Sequence, residues 1–187
     1  MAISANQVKE LRQQSGAGIM ECKRALEETS GDLDKAAALL RQQGLTKADK
    51  KSGRSASQGL IEPYIHGAGR IGAIIEVNCE TDFVARTPDF KDLAHDIAMQ
   101  VAATSPRYLD ADAVPEGDLP QLEREYGSRA AWVEAVCLMD QPFIKDPKLT
   151  VRDLVRDRIA KLGENIVVRR FARFEVGADQ PAADGSD

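Results

Sequence analysis

Two histidines, His66 and His95, and three cysteines, Cys22, Cys79 and Cys137, are the side chains best suited to proton transfer or nucleophilic attack near neutral pH. Their surroundings do not assemble that chemistry. His66 ends a β-favouring run at a Gly-rich turn, and His95 stands beside the apolar stripe of a helical segment, positions that suit a structural or exposed imidazole. The cysteines are widely spaced and odd in number, which argues against a disulfide framework or a Cys-based metal site and fits a reducing compartment. "GAG" at Gly67 to Gly69 lacks both the Gly-Lys-Ser/Thr ending and the following helix of a phosphate loop, so it reads as a hairpin connection. The carboxylates fall mostly on polar helical faces. No catalytic residue, metal site or cofactor is therefore expected.

Two segments set charge against aromatic character. "NCETDFVAR", Asn78 to Arg86, follows a β-branched run and puts Asp82 beside Phe83, with Thr81, Val84 and Arg86 around them. Taken alone, such a corner is an ordinary strand end packed on its own helix. "VVRRFARFEV" interleaves Arg169, Arg170 and Arg173 with Phe171 and Phe174, a pattern in which rings stack bases and arginines hold phosphates. It lacks the Gly-aromatic order of an RNA-recognition strand, and a pI near 5.2 supplies no broad basic footprint, so direct nucleic-acid binding is not expected.

The elements that must carry these segments follow from periodicity. With 187 residues, 43% hydrophobic and 29% charged, the chain has the composition of a soluble globular protein, and no apolar run approaches a membrane span. The first residues lack a secretory layout, so a cytoplasmic location is expected. Ser4 with Gln7 has capping-box spacing for a first helix that "SGAG" ends at Ser15 to Gly18. A second helix carries Ile19, Cys22 and Leu26 on one apolar face, and a third, capped by Asp32, runs from Leu33 to Gly44. Ten Lys and Arg against seven Asp and Glu make residues 1–54 mildly basic within a chain of formal charge -5. A polar, Lys-rich and then Ser- and Gly-rich stretch, centred on Lys51 to Gln58, reads as a linker.

Beyond it the period changes to that of strands. "LIEPYIH" and "RIGAIIEVN" form a hairpin, with Pro63 marking an edge or a bulge. Thr87 and Pro88 open a helix whose stripe is Phe90, Leu93, Ala94, Ile97, Ala98 and Val101, suited to cover the sheet. Helical material resumes at Leu119, interrupted near Gly127, with Trp132, Val136 and Met139 as core. "QPFIKDPKLT" reads as irregular, Thr150 with Asp153 opens a helix closed by Gly163, and "ENIVVRRFARFEV" is a strand. The expected fold is α+β: a three-helix bundle with its linker over residues 1–54, a core with a small antiparallel three-stranded sheet packed by helices over 55–176, and a disordered tail over 177–187.

Taken in order, "VKELR", "SGAGIMECKRAL", "GDLDKAAALLR", "GLIEPYIH", "GRIGAIIEVNCETDFVAR", "QPFIKDPKLTV" and "LGENIVVRRFARFEVG" resemble the translation elongation factor Ts family over nearly the whole chain. The resemblance implies a ubiquitin-associated type of bundle followed by the family's α+β core. It implies guanine-nucleotide exchange on elongation factor Tu, met in its GDP-bound and nucleotide-free forms, by a factor that does no covalent chemistry. The Asp-Phe pair, here Asp82 and Phe83 within Thr81 to Arg86, would enter the GTPase near its magnesium and phosphate site. By position, Arg12, Met20 and Lys23 would dock the bundle on the GTPase domain. Longer members have two core subdomains and an inserted helical hairpin. This chain resembles the short form, which implies a homodimer, sheet facing sheet, in a two-plus-two complex. A ubiquitin-associated-type binding module confined to residues 1–44, or an RNA-binding protein acting through the last strand, are the alternatives; neither accounts for "NCETDFVAR".

Overall fold

Local capping explains the first three helices of the computed structural model, which describes residues 3–178. In α1, Ala5–Ser15, the Ser4 hydroxyl accepts the Gln7 N–H while the Gln7 side chain accepts the Ser4 N–H, and left-handed Gly16 ends the helix. α2, Ile19–Glu28, and α3, Leu33–Asp49, follow after short turns, the latter capped by Asp32 at Lys35 N. Leu11, Cys22, Ala25, Leu26, Ala36 and Leu40 close the bundle core. Ile19 does not join them. The buried cluster begins one turn later, at Cys22, and Ile19 is left 57% exposed.

α3 also departs from its expected end. Gly44 does not stop the helix, which continues to Asp49. The glycine instead permits close approach to α8, Val151–Leu162: a Cβ built on Gly44 would lie 3.1 Å from the Ala160 Cβ. Arg41 with Asp157 at 3.8 Å and Arg156 with Asp49 at 3.0 Å flank that crossing. Ala48 is then buried in the main core, so one helix is shared between bundle and core.

The sheet comprises β1, Gln58–His66, β2, Ile71–Cys79, and β5, Ile166–Glu175, all antiparallel in the order β1-β2-β5. Pro63 thus falls on an edge strand, where a missing donor is tolerated. The inner face of β2, with Ala73, Ile75, Val77 and Cys79, packs with Ile166 and Val168 against α5, Pro88–Thr104. α5 buries Phe90, Leu93, Ala94, Ile97, Ala98 and Val101, and α8 adds Val151, Leu154, Val155 and Ile159. The outer face is different. Ile61, Ile65, Ile74 and Phe174 stand exposed there, around a Glu76–Arg170 ion pair at 2.7 Å.

The stretch expected to be irregular forms a second, two-stranded sheet, β3, Pro142–Phe143, with β4, Asp146–Thr150. Its organiser lies some forty residues upstream. The buried Gln100 amide donates to the Pro142 carbonyl at 3.1 Å and accepts from the Ile144 N–H at 2.9 Å. A third cluster gathers around α6, Leu119–Tyr126, and α7, Arg129–Val136, with Leu122, Trp132, Val136 and Cys137 buried. Met139 does not share this cluster; a 3-10 turn at Leu138–Asp140 redirects it toward the main core. Of the tail expected over residues 177–187, the part from residue 179 lies outside the described residues.

Gly59 has the most confined environment of these strands. At φ 151°, a Cβ there would sit 2.1 Å from the Val77 carbonyl oxygen and 2.8 Å from the Asn78 Cα, both backbone atoms of β2. Gly59→Ala should therefore destabilise the fold by at least ~2 kcal/mol and lower the thermal midpoint by about 4–8 °C. An unchanged midpoint by differential scanning calorimetry would contradict this account of the β1–β2 contact.

Candidate functional site

The chain leaves the sheet at Cys79 and turns once before α5. That turn is α4, Asp82–Ala85, four residues long, and it carries Asp82 and Phe83. The expected strand end is therefore a helical tip. Thr81 explains the change: its extended backbone and its hydroxyl, which accepts the Val84 N–H at 3.4 Å, make it an N-cap. Thr87 closes the other side by donating to the Val84 carbonyl at 2.8 Å and capping α5 at Phe90 N.

Within the turn the side chains divide. Ala85 is buried, and Val84 packs on the main core, which roots the tip. Phe83 points the other way and is 78% exposed, more than any other large apolar side chain among the described residues. Asp82 is paired with Arg86 at 2.7 Å, one turn along and at the surface. Thr81, Asp82, Phe83, Val84 and Arg86 thus form one compact group. It offers a ring and a carboxylate outward on a base held by burial.

Below the tip lies Glu164, which sequence reasoning did not single out. The Glu164 carboxylate accepts from the Glu80 N–H at 3.1 Å, the Thr81 N–H at 3.0 Å and the Thr81 hydroxyl at 2.6 Å. Cys79 donates its thiol to the Thr81 carbonyl at 3.1 Å. Burial, and then the neighbouring Glu164 charge, push the Cys79 pKa upward. The contacts to Glu164 span more than eighty residues of sequence, and only the pairing of β2 with β5 could have signalled them.

The second predicted group is separate. Arg12 lies in the last turn of α1, and Met20 and Lys23 in α2, all exposed on the helices that close the bundle's own core. Met20 is 66% exposed beside Ile19, and Lys23 approaches Glu27 at 3.8 Å. His66 and His95 both border Tyr64, and His95 Nδ1 lies 3.0 Å from Glu62. Gly67 to Gly69 form the β1–β2 turn. Among the described residues, no group of three His, Cys, Asp or Glu side chains could hold a metal ion, and no helix is long and apolar enough to cross a membrane.

The family model described as Elongation factor TS matches residues 33–133 and 121–178. An elongation factor Ts of Carboxydothermus hydrogenoformans is 50% identical over 195 residues, covering 94% of this chain and 89% of its own length. That of Coprothermobacter proteolyticus is 48% identical over 196 residues, covering 95% and 100%. That of Herpetosiphon aurantiacus is 51% identical over 199 residues, covering 96% and 100%.

Two buried thiols, Cys79 below the tip and Cys137 in the separate cluster around α6 and α7, give the fold a pH signature. Cys79 is raised by burial, and Cys137 is pushed up to about 11, by burial first and then by the Asp140 and Asp110 charges. Both folded values lie above the ordinary thiol range near ~8.5. Their stabilising contribution is thus complete below about pH 8.5 and is lost as pH rises through the folded values. The urea midpoint should fall from about pH 8.5 toward 11, and fall less in the Cys79→Ala/Cys137→Ala double variant. Equal slopes in the two proteins would contradict the assignment.

Proposed function

The chain belongs to the elongation factor Ts family, and from that membership we propose that it accelerates GDP release from elongation factor Tu, with Asp82 and Phe83 as the wedge. The observation that carries the proposal is the exposure of Phe83 on a turn whose neighbours Val84 and Ala85 are anchored in the core. An exposed Phe forgoes the ~1.5–3 kcal/mol that burial of its side chain would contribute. A pocket in the partner would recover it. Asp82 is free to engage at little cost, because a surface ion pair such as that with Arg86 contributes only ~0.3–0.5 kcal/mol.

A P-loop GTPase holds its diphosphate through loop amides, a Lys and a bridging magnesium ion. A ring and a carboxylate pressed in beside the metal weaken several charge-assisted contacts together, and nucleotide leaves faster. No bond to the nucleotide is made or broken. Because coupling is reciprocal, the factor holds nucleotide-free partner more tightly than nucleotide-bound partner, and incoming GTP loosens it.

In this proposal residues 1–54 dock on the GTPase domain through Arg12, Met20 and Lys23, and Ile19 beside Met20 enlarges the apolar part of that surface. Residues 55–176 carry the wedge and pair with a second protomer. The uncovered Ile61, Ile65, Ile74 and Phe174 on the outer sheet face support a sheet-to-sheet homodimer and a two-plus-two complex. The arginines weighed for RNA are partly committed: Arg170 to Glu76 at 2.7 Å, and Arg173 to Glu175 at 2.7 Å and to the Ala102 carbonyl.

Release of a fluorescent GDP analogue from elongation factor Tu tests the wedge. Wild type should accelerate release, and Phe83→Ala should lose at least about tenfold of that acceleration while its circular dichroism is unchanged. Equal acceleration by both would move the mechanism to other contacts, and none by either would overturn the exchange function. For the dimer, light scattering at micromolar concentration should return twice the 20.4 kDa chain mass, and Ile74→Asp should return the single mass. A wild-type monomer would overturn the dimer.

A further inference from the structure

We infer that Glu164 is the positioning residue of the Asp82–Phe83 tip, and that Asn165 ties the same node to the linker from the bundle. The inference rests on the exchange reading above. Its starting point is strand register. The β2–β5 ladder ends with Cys79 opposite Ile166, so continued pairing would set Glu80 against Asn165 and Thr81 against Glu164. There the backbone ladder is replaced by reciprocal carboxylates. Glu164 accepts the Glu80 and Thr81 N–H groups, and Glu80 accepts the Asn165 N–H at 2.7 Å. Each strand end thus satisfies the other's backbone donors through a side chain.

This clamp determines the direction of the Thr81 hydroxyl. Its proton is committed to Glu164 Oε1 at 2.6 Å, which leaves the oxygen lone pairs to accept the Val84 N–H. A single helical turn cannot sustain itself in water, because nucleation costs more than one hydrogen bond returns. Packing of Val84 and Ala85 roots α4, and its cap, held by Glu164, fixes how the turn starts from that base. The linker joins the node next door: Asn165 Nδ2 donates to the Ser52 and Arg54 carbonyls at 3.2 and 2.8 Å, and Arg54 approaches Glu80 at 3.5 Å. One dipeptide immediately before β5 holds both the tip and the chain that leads from the bundle.

GDP-analogue release from elongation factor Tu, measured against factor concentration, separates positioning from binding. Glu164→Ala should lower the plateau rate about tenfold with a smaller change in half-saturation. Glu164→Gln, which keeps one carbonyl acceptor, should recover part of the loss. In the Phe83→Ala background, Glu164→Ala should cost less than about twofold more, because both changes act through one ring. Amide hydrogen exchange should quicken over residues 80–86 and stay unchanged over 93–101. If Glu164→Ala does not fold, as read by circular dichroism and Trp132 emission, Glu164→Gln alone and in the Phe83→Ala background carries the same comparison. An unchanged plateau, or an undiminished loss in the Phe83→Ala background, overturns the positioning role while the exchange function stands. No acceleration by wild type overturns both.

Discussion

Holding an aromatic ring in water in one place requires that everything behind it be immobile. The packing of the inner sheet face on α5 supplies this: Ile75, Val77 and Cys79 meet the Phe90 to Val101 stripe with no exposed member. Val84 and Ala85 extend that packing by one turn beyond the sheet, and Phe83 stands on it. The hydrophobic core thus continues into the site. Close packing transmits position because such interiors have little room to yield.

Polar groups then finish what packing begins. At the sheet end, Glu164 and Glu80 take up donors that the ladder has stopped pairing. In the second sheet, Gln100 does the same for a hairpin too short to satisfy itself. In both places a side chain from a remote element stands in for a missing backbone partner, since a buried polar group without one costs about 1–3 kcal/mol. The half-buried Tyr108 also finds a side-chain partner: it donates to Asp118 at 2.7 Å, and its pKa is pushed up to about 12, chiefly by burial and then by that hydrogen bond.

The bundle is joined to the core by contact as well as by a tether. α3 crosses α8 at Gly44 and reaches the main core with Ala48, so the two proposed binding surfaces, around Met20 and around Phe83, are carried on connected helices. Gly44 shows how one residue type has two meanings. In a linear pattern a glycine after an apolar stripe marks a helix end, whereas here its missing side chain admits a neighbouring helix.

What the sequence by itself determined is whatever local spacing encodes. The caps at Ser4, Asp32, Thr87 and Thr150, the apolar stripe of α5 and the turn at Gly67 to Gly69 all rest on neighbours within a few residues, whereas Pro63, legible as an edge or a bulge, was placed on an edge by the strand order. The segment from Thr81 to Arg86 was legible as a motif, but its form as a helical tip was not. Tertiary structure alone decided that Phe83 faces water, that Ile19 is left outside the bundle core and that Met139 joins a different cluster from Trp132. It also decided that Gln100 and Glu164 serve segments far along the chain. Periodicity says which face of an element is apolar; only the packed neighbours determine how far that face is covered and where a lone polar side chain finds its partner.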